Sequence, residues 1–159
     1  MRISALLAAL FIAVTALPSA LANDNWLKGP DGSWQIRYED AVKIAKKENK
    51  LIYALATGSD WCYWCKKLKS DVFSTKEFKE FAKKNLVLLY IDMPSPKLNM
   101  PLEQRKYNYQ LMQKLPFGAG VPSALILNAD GKVIAQQGGY APLAKYMAFL
   151  QDAVKKADK

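Results

Sequence analysis

From Trp34 onward, apolar residues recur with two alternating periods, and the alternation predicts helices and strands in turn. Over 38–49, Tyr38, Ala41, Val42 and Ala45 fall at i, i+3, i+4 and i+7, the spacing of one buried helix face. Residues 51–57 (LIYALAT) form a short run without charge, the mark of a strand covered on both faces. Gly58-Ser59-Asp60 reads as a turn, and a helix follows from near Cys62 with Cys65 and Leu68 on one side. Ser74-Thr75-Lys76-Glu77 has the form of a capping box that opens another helix, with Phe78, Phe81 and Ala82 as its apolar stripe. Residues 86–92 (LVLLYID) repeat the buried-strand pattern. Strand, helix, strand with so long a crossover predicts a parallel pair.

Segment 93–101 contains three prolines and reads as a loop, either shaping a site rim or standing as an insertion. A helix is expected over 102–114. Strands over 123–128 and 132–137 flank Asn128-Ala129-Asp130-Gly131, the turn residues of a hairpin. The last helix, over 142–156, buries Leu143, Tyr146, Met147 and Leu150. The predicted fold class is α/β, a central mixed sheet with parallel strands plus a C-terminal antiparallel hairpin and helices on both faces. There is no internal repeat, and one domain over 34–159 accounts for the pattern.

The N-terminal pattern is different. Arg2 precedes an apolar run over 6–17, broken by Pro18 and followed by Ala20-Leu21-Ala22. That order is the signature of a signal peptide over 1–22, and the run is too short to span a membrane comfortably as an anchor. Residues 23–33 form a polar lead-in rich in Gly, Pro and Asp. The expected location is the periplasm, with secretion as the alternative and no stable membrane insertion after cleavage. The C-terminus Lys155-Lys156-Ala157-Asp158-Lys159 has no ER-retention signal, which fits a bacterial envelope.

Composition changes this picture little until the cysteines are counted. The net charge is +9 at pH 7. The lysines are spread over polar helix faces, so no nucleic-acid partner is expected. There are two cysteines. Bridging a loop as short as Cys62–Cys65 stabilises by only about 2 kcal/mol in the chain-entropy model, so the pair is a poor staple. In an oxidising compartment it is well placed for redox chemistry. At i and i+3 on a helix the two thiols share a face. The free N–H groups of a helix N-terminus, with Lys66, Lys67 and Lys69 nearby, favour a thiolate at Cys62. Cys62 at the exposed end is the expected attacker, and Cys65 one turn inside the expected resolving thiol.

Other readings of the pair stay open. Zinc wants four ligands, and the chain has no histidine and no third cysteine. Copper(I) could take thiolates with a thioether from Met93, Met100 or Met112, which otherwise read as packing residues. Trp61, Tyr63 and Trp64 could pack, but three aromatics flanking an exposed cysteine cannot all be buried, so at least one is expected to face a partner.

The sequence resembles the thioredoxin family. The resemblance rests on Trp61-Cys62-Tyr63-Trp64-Cys65-Lys66 after a strand, Val121-Pro122 before a strand, and the hairpin ending in Gly138-Gly139-Tyr140. It spans about 34–156 and is greatest with exported single-domain members. It implies a thioredoxin-like fold, a cis-proline at Pro122 against the cysteines, and a backbone contact from Val121 to substrate. The other reading of Pro122 is an ordinary strand-entry proline, and the order of motif, spacing and hairpin favours the cis bond over it. Substrate-binding candidates are therefore Trp61, Tyr63, Trp64, Val121 and Pro122, and catalytic candidates Cys62 and Cys65. No cofactor and no resident metal are expected. Family members often bury a carboxylate in the strand before the motif to deprotonate the resolving cysteine. Here the strand has none, and Ala56 stands at about that place, leaving water or Asp60 to take the proton. The expected function is a thiol-disulfide oxidoreductase, with reductase the favoured direction, acting on protein disulfides or dithiols. With one domain, it needs a separate redox partner for recycling. The alternatives are a non-catalytic peptide-binding module on the same fold and a copper(I) carrier.

Overall fold

The structure is a computed structural model in which residues 31–157 are described. The leader over 1–22 and most of the lead-in over 23–33 lie outside the described residues. The elements run α1 (Tyr38–Glu48), β1 (Leu51–Thr57), α2 (Tyr63–Leu68), α3 (Lys76–Asn85), β2 (Leu86–Asp92), α4 (Leu102–Lys114), β3 (Ser123–Leu127), β4 (Val133–Gly138) and α5 (Leu143–Ala157). The sheet order is β2-β1-β3-β4. β1 pairs parallel with β2, Leu51 opposite Leu86 and Thr57 opposite Asp92. β3 runs antiparallel to both β1 and β4. This is the expected mixed sheet, and β1, wholly interior, has the uncharged sequence that such a position requires.

Side chains alternate across the sheet. One face of the strands meets α2, α3 and α5 through Tyr53, Leu55, Leu68, Phe78, Tyr146 and Leu150. The other meets α1 and α4 through Ile52, Ala54, Ala41, Ala45 and Leu111. Helices therefore cover both faces.

Local chemistry sets the ends of the helices. α1 carries Glu39 and Asp40 in its first turn and Lys46 and Lys47 in its last, both favourable to the helix dipole. It stops at Asn49, which adopts the left-handed conformation (φ 52°). α2 does not end at Leu68 but widens into a π-helical turn, Lys69–Phe73. The start of α3 corrects the sequence reading by one residue. The N-cap is Thr75, whose hydroxyl accepts from the Phe78 N–H at 3.2 Å. Ser74 instead caps the π turn, its N–H and hydroxyl both donating to the Lys69 carbonyl at 2.9 Å. Two adjacent hydroxyls make the box ambiguous in sequence, and the wider turn before it decides the register.

Candidate active site

The turn after β1 is built around Gly58. A Cβ there would stand 2.4 Å from the indole of Trp61, so only glycine lets the ring fold against the backbone. The indole N–H then donates to the Met93 carbonyl at 2.8 Å, which ties the turn to the loop after β2. Asp60 strengthens the tie, accepting from the Ser95 N–H at 2.9 Å and from its hydroxyl. Arg105 of α4 donates to the carbonyls of Pro94, Ser95 and Leu98. The 93–101 loop is therefore part of the rim of the site.

Cys62 and Cys65 are joined in a disulfide with Cα atoms 5.2 Å apart. Cys62 is the N-cap of α2, and its Sγ accepts from the Cys65 N–H at 3.1 Å. The same Sγ lies 3.6 Å from the Val121 carbonyl oxygen. The Val121–Pro122 bond is cis, and the Pro122 carbonyl accepts from the Gly139 N–H at 2.8 Å. Two segments distant in sequence thus meet at one sulfur, and a third, at Gly139, holds the Val121–Pro122 loop in place. The expectation that Cys62 is the exposed cysteine of the two does not hold in this oxidised form, where Cys62 is 6% and Cys65 5% exposed. Capping the helix draws the Cys62 sulfur in against Cys65, and the Val121 carbonyl comes up beside it. The two cysteines differ in surroundings instead: Cys62 meets the Val121–Pro122 loop, while Cys65 lines a small cavity behind the helix.

The aromatics stand outside. Trp61, Tyr63 and Trp64 are 55%, 66% and 51% exposed. Tyr63 meets Trp64 edge-on at 5.1 Å, and Trp64 stacks on Tyr140 with ring centres 5.5 Å apart. Trp64, Tyr140, Gly139, Val121 and Pro122 line an open cavity of about 220 Å³. Tyr140 is anchored from below, its hydroxyl donating to Asp71 at 2.8 Å. The Lys67 ammonium, with the Ser70 and Tyr140 hydroxyls, holds the Asp71 carboxyl down to about 2. Sequence pattern marks Tyr140 only as the end of the hairpin and does not single out Asp71, because their meeting joins the loop before α5 to the π turn.

The inner side holds the second group that pattern reading misses. The cavity beside Cys65, about 50 Å³, is lined by Leu55, Thr57, Ser59, Lys66, Lys69, Phe73 and Tyr90. The β1 side chains on this wall are Leu55 and Thr57, not Ala56, which corrects the position expected for a strand carboxylate. Alternation decides this, since Leu55 packs with the α2 layer. Asp60 is turned to Ser95, and although burial works against it, those hydrogen bonds and Lys66 hold its carboxyl below the usual range. The buried carboxylate is Asp92, accepting from the Ser59 N–H at 2.9 Å and hydroxyl at 2.6 Å. Burial, with the charge of Asp60 adding to it, pushes Asp92 above the usual carboxylate range against the pull of Ser59. Its signal in sequence is one acid closing the run LVLLYID.

Among the described residues no cluster of three or more His, Cys, Asp or Glu side chains could hold a metal. Met100 is buried with its sulfur 3.8 Å from the Asn108 amide, and Met112 packs against the α1 layer. Met93 enters the site through its carbonyl. No helix among the described residues is long and apolar enough to cross a membrane.

This geometry has relatives. Residues 38–154 match the thioredoxin-like domain family. The disulfide bond reductase DsbH of Chlamydia pneumoniae is 33% identical over 140 residues, covering 87% of this chain and 77% of that protein. A solved DsbH oxidoreductase superposes with a TM-score of 0.69 at 33% identity, over 77% of this chain and 83% of that one. A thioredoxin from Thermus thermophilus, at 14% identity and a TM-score of 0.56 over 76% of this chain and 86% of its own, shares the fold. With its two sulfurs bridged at the head of α2, the chain belongs to the thioredoxin-like family and is a thiol-disulfide oxidoreductase.

Proposed function

We propose that the chain is an exported, periplasmic reductase of protein disulfides in which Cys62 attacks and Cys65 resolves. The observation that carries the assignment is the asymmetry of the two sulfurs. Cys62 Sγ takes a hydrogen bond from the helix N-terminus and faces the Val121–Pro122 loop, whereas Cys65 backs onto the interior. An N–H donor and a helix N-terminus lower a thiol's pKa, which makes Cys62 the better thiolate. The Cys62 thiolate attacks one sulfur of a substrate disulfide, forming a mixed disulfide and releasing the other sulfur as thiolate. Cys65, once deprotonated, attacks the Cys62 sulfur, releases the second substrate thiolate and closes the Cys62–Cys65 bond. Two electrons pass to the substrate, and a separate dithiol partner must return them.

Trp61, Tyr63 and Trp64 offer exposed apolar surface to the polypeptide around the substrate cystine, and Val121 and Pro122 border the same cavity. The reductase direction is supported by the name of the Chlamydia pneumoniae relative, and export by the leader pattern over 1–22.

Disulfide reduction of insulin by the reduced protein tests the activity. Cys65→Ala is expected to accumulate mixed disulfides on Cys62, and Cys62→Ala to form none. A Cys65→Ala protein that captures nothing while the wild type reduces insulin would overturn the assignment of roles.

A further inference from the structure

Resolution requires the buried Cys65 thiol to lose a proton, and on the wall of the cavity beside it β1 offers only Leu55 and Thr57. We propose that Asp92 is the proton acceptor for Cys65, reached through the Ser59 hydroxyl and one water in the cavity between them. The inference rests on the roles proposed above for the two cysteines.

Cys65 and Ser59 are both on the wall of the 50 Å³ cavity, which is large enough for one water molecule. Ser59 already donates its hydroxyl proton to Asp92 Oδ2 at 2.6 Å. Parallel pairing sets Asp92 beside Thr57, so its carboxylate is on the face that carries α2. Only 2% of Asp92 is exposed, and hydrogen bonds to Ser59 hold its carboxylate in place. The path conserves protons. The thiol gives its proton to the water, the water passes one to Ser59 Oγ, and Ser59 passes its own to Asp92. A neutral carboxylic acid and a Cys65 thiolate result, and the thiolate then attacks Cys62. The charged groups facing this path are Asp60 from the turn, Lys66 of α2 and Lys69 of the π turn, with the Tyr90 phenol from β2. Both lysines favour the thiolate. Burial, with a smaller push from the Asp60 charge, makes Asp92 a stronger base than an ordinary carboxylate.

The test isolates resolution from attack. The Cys62–glutathione mixed disulfide is prepared, and release of glutathione is followed by stopped flow from pH 4 to 10 in the wild type, Asp92→Asn and Asp60→Asn. In the wild type the rate should rise through the Asp92 titration and then flatten. Asp92→Asn should be slower at pH 7 by roughly a hundredfold, the lower range of general-base effects. Its rate should climb tenfold per pH unit and meet the wild type in alkali, where hydroxide does the same work. Asp60→Asn should keep the wild-type shape with its acid limb moved to lower pH. An Asp92→Asn profile that coincides with the wild type overturns the proposal. A profile lowered by one factor at every pH also overturns it, because that is the mark of a displaced turn. If the wild-type adduct fails to release glutathione while Cys65 remains free, the assignment of Cys65 as resolving thiol is at fault instead.

Discussion

Beneath α1 and α4 the sheet presents Ile52, Ala54, Leu89, Ile91, Leu125 and Leu127, side chains with no hydrogen-bonding group. Beneath α2, α3 and α5 the same strands present Tyr53 and Tyr90, packed with Trp34, Phe73, Phe78 and Tyr146 in a network of edge-to-face contacts. The aliphatic side chains need only to be covered, and the buried amides of their cover, Gln104 and Asn108 of α4, pair with one another and with the Ile36 and Asp92 carbonyls. The aromatic layer buries hydroxyls, and each must find a partner or cost free energy. Tyr53 and Tyr146 satisfy one another, and burial raises both phenols above their ordinary value. The same layer carries the cysteines, and Ser59 on the wall of the Cys65 cavity holds the one carboxylate among the buried side chains of the described residues. The strands' own side chains therefore only pack on one face, and on the other they also carry hydroxyl groups and border the cysteines.

The comparison is broken most forcibly from the aliphatic side. Leu125→Ala is expected to cost about 2–5 kcal/mol in denaturant unfolding, the usual range for a buried leucine. If that face is packing alone, insulin reduction by the folded variant stays at the wild-type rate. A changed rate would mean that the two faces are mechanically coupled.

On the aromatic side, Tyr53→Phe should cost about 1–3 kcal/mol because it orphans the Tyr146 hydroxyl. Adding Tyr146→Phe should recover much of that loss, since neither ring then carries an unpaired group. Additive losses in the double-mutant cycle would show that the hydroxyl pair does not couple the strand to α5.

The smallest effect sharpens the comparison at Asp92. Its carboxyl lies above the ordinary value of 3.8 in the folded chain, so folding favours the protonated form. The stability it contributes is complete below that ordinary value and is lost as pH rises through the raised one. Asp92→Asn, neutral throughout, should therefore be more stable than the wild type at pH 7, with the gap closing below about pH 4. A variant that unfolds more easily at pH 7 would mean that the hydrogen bonds from Ser59 outweigh the burial of the charge. Greater stability with slower resolution would mark Asp92 as kept for chemistry at a cost to the fold.

Much of this protein is legible from spacing. The 3.6 period locates α1 and α5, uncharged apolar runs locate β1 and β2, and turn residues locate the hairpin, because each is a local rule that a segment obeys by itself. Trp61-Cys62-Tyr63-Trp64-Cys65-Lys66 announces redox chemistry for the same reason, since i and i+3 on a helix meet whatever the rest of the chain does. Spacing within one segment does not report what another segment brings. The shift of the α3 cap to Thr75, the choice of Leu55 over Ala56 on the Cys65 wall, and the anchoring of Tyr140 by Asp71 depend on contacts across the fold. So does the meeting of Asp92 with Ser59, 33 residues apart in the chain. Sequence determined which residues are apolar, where the chain turns and that two thiols can bridge. Only the tertiary structure decided which carboxylate Ser59 holds next to the Cys65 cavity, because that follows from the pairing of β1 with β2.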